Sequence, residues 1–387
     1  MGGNVMDLKN LKINSKFQAP PSNVVCRRSW KLVFGALLFC FVTSGCVSLK
    51  PHPVSQPIAS KPYRGVYHVH SSFSPDSKAS LPTIIRTAKQ AGLDFVIVTD
   101  RNNHSAAAAY EKMKINESDP KLFFGVEVTT SDGHLTALGI PSTPEKGKPS
   151  QSTIDGIHEQ GGYALIAHPA SIERPWTHWD VKNFDGLEIY NFKYASQQNA
   201  GMSKAFQKMF SSSNFFLKSL LKTPYTELTI WDRLLKERKV IGVAAVDAQI
   251  SKSWKSFSDG NFLMQFQAVT LYALADELKE KSVLDAVGKG RTFMAFEVFG
   301  SARDFSFTVQ DGSNVQAAGS EVSFKEGMDF QVKVPGEAEI RLIRDGQIVQ
   351  RIQSRDMMHK IQAKGTYRVE VYRKGKLWIF TNPIWIS

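Results

Sequence analysis

Two histidines one residue apart, His68 and His70, close the run Gly65-Val66-Tyr67-His68-Val69-His70. The run suits a short buried strand, because Val66 and Val69 are β-branched and Tyr67 also favours a strand. Strand alternation turns both imidazoles to one face, roughly 7 Å apart along the chain, within reach of one metal ion. An isolated His-x-His is a weak signal. It gains weight because later strand-like runs also end in, or carry, metal-ligand residue types. Asp100 follows Phe95-Val96-Ile97-Val98-Thr99, and Glu127 lies near the end of 122–130. His134 opens 134–140, His168 closes 163–168, and Asp247 closes 240–247. All three cysteines (Cys26, Cys40, Cys46) lie before residue 47, so a metal site in the body must be built from His, Asp and Glu. His104, close behind Asp100, either orients a substrate or simply opens the next helix.

The elements that must position these groups alternate. After His70 a polar turn, Ser71 to Ser77, leads to a helix from Leu81 to Ala91, with Pro82 in its first turn and Gly92 as its stop. The apolar run 95–100 is typical of a parallel strand buried on both faces. An Ala-rich helix follows, then the strand with Glu127. Ser131-Asp132-Gly133 turns the chain into 134–140. A helix from Ser152 to Gln160 precedes 163–168, and 186–191 is a further short strand. A long helical insertion, about 194–237, leads to 240–247. Strand and helix alternate about seven times, which implies a parallel β/α architecture, closed or nearly so. In such barrels chemistry sits at the C-terminal ends of the strands.

Taken in order, His68-Val-His70, Ser74-Pro75-Asp76, Thr99-Asp100, Gly125-Val126-Glu127 with Gly133-His134, Ala167-His168-Pro169 and Val246-Asp247-Ala248 resemble the PHP family, the polymerase and histidinol phosphatase metallohydrolases. The resemblance covers about residues 63–300, and the tail is similar to the lipoprotein-like branch that carries a C-terminal β domain. It implies a distorted seven-stranded (β/α) barrel with two or three metals on its rim and hydrolysis, usually of phosphate esters. Carried over by position, one metal is held by His68, His70, Glu127 and Asp247. A second is held by Glu127, His134 and His168, so that Glu127 bridges. The third family site falls on Asp76, Arg101 and Gln249, where the family usually has histidine at the last two. A guanidinium keeps its charge and offers no acceptor, so this site is expected to stay empty. Two divalent ions (Zn, Mn or Fe) are expected, because imidazole and carboxylate ligands do not choose among them. Arg101 either anchors an anionic substrate or pairs with Asp76 or Asp100.

The 387 residues carry a formal charge of +12, and 42% are hydrophobic. This is a globular composition. Residues 1–45 hold six basic groups and one acid; their net +5 leaves +7 for the rest, which suits anionic substrates or an anionic membrane surface. No dense basic helix, zinc finger or RNA-binding signature supports nucleic-acid binding. Arg27-Arg28 precede the apolar run Leu32–Val42, which is too short to span a bilayer comfortably and has the length of a signal-peptide core. With Thr43-Ser44-Gly45-Cys46 it resembles a bacterial lipoprotein signal (1–45), in which Cys46 is acylated. Residues 46–62, with Pro51, Pro53, Pro57 and Pro62, read as an extended tether. The expected place of the protein is therefore the cell envelope, lipid-anchored and exported.

Residues 194–222 are rich in Phe and Lys with helical spacing; they either pack on the barrel or form a lid or membrane-facing patch. From about Asp304 the pattern changes to period two, with hairpin signals at Asp311-Gly312 and Asp345-Gly346. A small β-sandwich is expected over 301–387, after the metallohydrolase barrel at 63–300. The functional expectation is a metal-dependent hydrolase, a phosphoesterase acting on a small anionic substrate. The rival is a catalytically impaired barrel that serves as a ligand-binding or interaction lipoprotein.

Overall fold

The computed structural model describes residues 61–198, 213–251, 262–312 and 314–387. The expected signal peptide, Cys46 and nearly all of the tether lie outside the described residues, as do 199–212 of the Phe/Lys-rich stretch. Strands β1 (Lys61–Val69), β2 (Phe95–Arg101), β3 (Lys121–Thr129), β4 (His134–Leu138), β5 (Tyr163–Ala167), β6 (Gly186–Asn191) and β7 (Ile241–Ala245) are paired in chain order. All of these pairings are parallel except those of β4, which runs antiparallel to β3 and β5. Helices α1 (Leu81–Gln90), α2 (Ser105–Glu111) and α3 (Ser150–Glu159) connect them. Between β6 and β7 come α4 (Phe192–Gln198), α5 (Ser213–Leu220) and α6 (Tyr225–Glu237).

Local sequence accounts for these elements. Ser80 caps α1, its Oγ accepting from the Thr83 N–H, and Leu81, Ile84, Ile85 and Ala88 form the buried stripe. The unbroken apolar runs of β2 and β3 are buried along nearly their whole length, as strands covered on both faces must be. The β3–β4 turn needs its glycine. Gly133 has φ +144°, and a Cβ there would stand 2.8 Å from the Trp176 ring. In the described part of the Phe/Lys-rich stretch, Phe216, Leu217 and Leu220 join the main core, whereas Phe215 is exposed.

Mixed α/β architecture around a large sheet agrees with the alternation, but the series does not close as a seven-stranded barrel. The far edge of β1 is shared. Its first half, Lys61 to Gly65, is taken antiparallel by β8 (Thr270–Ala275). Only its end meets the exit of β7. Val246 N–H donates to Tyr67 O (3.0 Å), Ala248 N–H to His68 O (3.0 Å), and His70 N–H to Ala248 O (2.8 Å). A strand has two edges, so with β2 on one and β8 on half of the other, β7 cannot form a full ladder with β1.

The tail also differs from an independent sandwich. Strand β9 (Thr292–Ala295) pairs with β8, and β16 (Lys376–Thr381) pairs with β9. Through β9 the C-terminal strands, including β10 (Ser306–Asp311), β11 (Asn314–Ala317), β12 (Glu321–Val322), β13 (Asp329–Arg344), β14 (Gln347–Lys360) and β15 (Gly365–Arg373), enter the same hydrogen-bonded sheet. Their own apolar cluster, with Phe307, Phe330, Ile340, Tyr367 and Trp378, extends onto Tyr272 and Phe293 of β8 and β9. The Asp345-Gly346 hairpin is present. Both residues have positive φ (51° and 79°) and Arg344 faces Gln347, as a two-residue type I′ turn requires. Asn382 pins the tail to β7, accepting from the Gly242 N–H and donating to its carbonyl, each at 2.8 Å.

Candidate metal centre

The strand ends carry the site. His68 is not placed by simple alternation. Tyr67 pairs with Ile97 and Val69 with Val98, so His68 is an extra, bulged residue in β1, with φ +68°. His168 (φ 30°) and Asp247 (φ 47°) also adopt positive φ. Such backbones cost of order 1–3 kcal/mol each and gather at functional sites. Here they re-aim side chains at the point where each strand exits.

Glu127 is the hub, fully buried. Its Oε1 lies 2.7 Å from His134 Nδ1 and 3.0 Å from His168 Nε2. Its Oε2 faces His70 Nε2 at 3.5 Å and His68 Nε2 at 3.7 Å. Two compact groups therefore share one carboxylate: His68, His70 and Glu127, and Glu127, His134 and His168. Asp247 stands at the edge of the first, its Oδ1 3.4 Å from His70 Nε2. The donor set passes a direct test of fit to divalent ions. The Nε2 atoms of His68 and His70 are buried without hydrogen-bond partners, which is costly unless something else satisfies them. They face Glu127 Oε2 at 3.7 and 3.5 Å, near the roughly 3.3 Å edge of a tetrahedron with 2.0–2.1 Å bonds.

Charge is balanced around the hub. Burial alone would raise the Glu127 carboxyl, but Arg101, His68 and the hydrogen bonds from His134 and His168 outweigh it and hold it well below the usual range. Asp247 is likewise held low against burial, by Lys193, His68 and His70. Burial lowers His134. His68 is held up despite burial by Glu188, Asp247 and Glu127.

Arg101, at the end of β2, reaches the cluster. Its Nη1 lies 2.9 Å from Glu127 Oε2, and its Nη2 donates to Asp76 Oδ2 at 3.1 Å. Asp76 thus joins the centre as the partner of Arg101. Asp100 faces away, accepting from the N–H and Oγ of Ser71 at 2.6 and 2.5 Å. His104 does not join the centre. It precedes α2 and lines a separate cleft with Asn103, Glu111, Gly139 and Glu280. It stands at the N-cap of α2, in keeping with the reading of a residue that opens a helix.

Three residues of the site were not singled out from the sequence. Glu188, in the middle of β6, accepts from His68 Nδ1 at 2.6 Å, and its other oxygen accepts from the His168 N–H at 2.8 Å. It fixes the His68 tautomer and turns the Nε2 lone pair to the cluster. A lone carboxylate inside a wholly buried strand was the available signal. Asn191 donates to Glu188 and to Asp247 at 2.9 and 3.2 Å. Lys193 Nζ donates to Asp247 Oδ1 and Gln249 Oε1 at 3.3 and 3.2 Å; no periodicity marks it.

A family model described as the PHP domain matches residues 67–228. An uncharacterized protein of Methanocaldococcus jannaschii is 30% identical over 136 residues, which span 32% of this chain and 79% of that protein. Two solved structures are similar. One is a two-domain protein of Bacteroides vulgatus containing a predicted PHP-like metal-dependent phosphoesterase (16% identity, TM-score 0.42, 84% of this chain and 96% of that one). The other is a Bifidobacterium adolescentis protein assigned as a metal-dependent phosphoesterase (15% identity, TM-score 0.31, 55% and 96%). With its ligand-bearing strand ends inside the matched residues or just beyond them, the chain belongs to the PHP domain family.

Proposed function

We propose that this protein is a metal-dependent hydrolase that acts on a phosphate ester or a related small anion. The observation that carries the reading is Glu127, buried and shared between two groups of histidines, of which His68 and His70 hold their Nε2 atoms buried without hydrogen-bond partners. His68, His70, Glu127 and Asp247 would hold one divalent ion, and Glu127, His134 and His168 a second. Bound there, the ions would activate a water and polarise the scissile group. The chain's own residues do the rest. Glu188 orients His68, and the buried walls around His68, His70 and Glu127 keep bulk water away. Arg101 offers a planar donor fork suited to a phosphate oxygen. Zn, Mn and Fe all suit the donors.

We also propose that the chain is exported and lipid-anchored through Cys46, on the strength of the apolar run and the small residues before that cysteine. The function is tested on the purified full-length chain by its metal content and by metal-dependent release of p-nitrophenol from p-nitrophenyl phosphate and its diester. About two ions per chain and chelator-sensitive hydrolysis are expected. A chain that binds two ions but hydrolyses neither ester would favour the binding-protein alternative, and one that retains no metal would overturn the hydrolase reading.

A further inference from the structure

Two cations stand against the metal-ligand cluster, and they come from different strand ends. Arg101 leaves β2 and meets Glu127 and Asp76. Lys193, at the start of α4 just past β6, meets Asp247 and Gln249. Both side chains are about one-fifth exposed (20% and 21%), whereas Glu127 is at 0%. Both line the small cleft that also receives His134, His168, Asp247 and Arg174. The cluster therefore opens to solvent on the side where these cations stand. An ammonium has three donors and a guanidinium five. Lys193 spends two of its donors, on Asp247 and Gln249, so a third is free for a ligand in the cleft.

Resting on the reading of the site as a hydrolase of anionic esters, we propose that Lys193 is a second substrate anchor, which together with Arg101 grips two different oxygens of one phosphate group over the cluster. The two cations bond to different carboxylates, Glu127 and Asp247, and reach the cleft from different strand ends. A terminal phosphate, with three peripheral oxygens and up to two charges, can meet both cations and still present an oxygen to the metal ligands' side. A diester has only two peripheral oxygens and one charge. Lys193 would therefore favour terminal phosphates over bridging ones.

The test is titration calorimetry of inorganic phosphate into the metal-loaded full-length chain, with metal content measured on the same samples. Lys193→Met should weaken phosphate binding roughly tenfold to a hundredfold, the loss of one charge-assisted hydrogen bond, while metal content stays unchanged. Lys193→Arg should restore most of the affinity, and Lys193→Gln, which keeps length and polarity, gives the same test should the Met variant fail to fold. Unchanged phosphate affinity in Lys193→Met or Lys193→Gln would overturn the proposal and leave the hydrolase reading standing. Loss of metal in these variants would also overturn it, by making Lys193 a support for Asp247. Failure of the natural, metal-loaded chain both to bind phosphate and to cleave any phosphate ester would instead be a failure of the hydrolase reading itself.

Discussion

Glu127→Gln probes the centre most directly. The side chain is wholly buried, and its two oxygens face His134, His168, Arg101, His70 and His68 at 2.7, 3.0, 2.9, 3.5 and 3.7 Å. The substitution keeps the shape, removes the charge and turns one oxygen into an amide nitrogen that cannot ligate. Removing an outer hydrogen bond around a metal ligand already costs about 10–100-fold in affinity. Loss of the shared ligand itself should cost at least about 100-fold, or about 2.7 kcal/mol, at each group. Because Glu127 belongs to both groups, both ions weaken together. At a metal concentration of about 100 times the natural Kd, each ion stabilises the chain by about 2.7 kcal/mol, and in the variant by about 0.4 kcal/mol. With about 2.1 cal/mol/K of unfolding entropy per residue, 1 kcal/mol moves the Tm of a 387-residue chain by about 1.2 °C, so the metal-dependent rise in Tm should shrink by about 3 °C per ion. The assay is elemental analysis after gel filtration, paired with melts in chelator and in metal. A Glu127→Gln chain that keeps two ions and the full metal-dependent rise would refute the assignment of Glu127 as the bridge.

Glu188→Gln should weaken binding chiefly at the His68 group, by about 10–100-fold, because it loosens the His68 ring while Glu188 meets His168 only through its backbone N–H; equal loss at both groups, read from competition with a metal indicator, would contradict this role. Arg101→Ala should raise the KM for an anionic ester roughly tenfold to a hundredfold and leave metal content unchanged, and steady-state kinetics with elemental analysis would check both. Cys46→Ala should move the chain out of the membrane fraction or block its processing; unchanged fractionation, with no lipid label on the natural chain, would remove the anchor.

Much of the fold was legible because local physics wrote it. The stop of α1 at Gly92, the Ser131-Asp132-Gly133 turn and the Asp345-Gly346 hairpin follow from positive φ that glycine tolerates (Gly92 68°, Gly133 144°, Gly346 79°). The buried runs of β2, β3 and β5 announced themselves by unbroken apolar sequence. The edge of β1 was not legible. Whether β7 or β8 claims it depends on pairing across some 200 residues, and no periodicity within β1 encodes its partner.

The same division holds at the centre. Sequence by itself determined which residue types stand at the strand exits, and hence that any ions would be held by imidazole and carboxylate rather than thiolate. The bridging role of Glu127 came from the resemblance to the PHP family that the ordered motifs carry. Only the tertiary structure decided how they meet. His68 reaches Glu127 through a bulge with positive φ, not through alternation. Glu188 and Lys193 enter from β6 and α4, more than a hundred residues after His68, and Arg101 chooses Glu127 and Asp76 over Asp100. These are matters of side-chain direction and through-space charge. A linear pattern specifies which groups are present, whereas burial and neighbouring charge in the folded chain specify which of them touch.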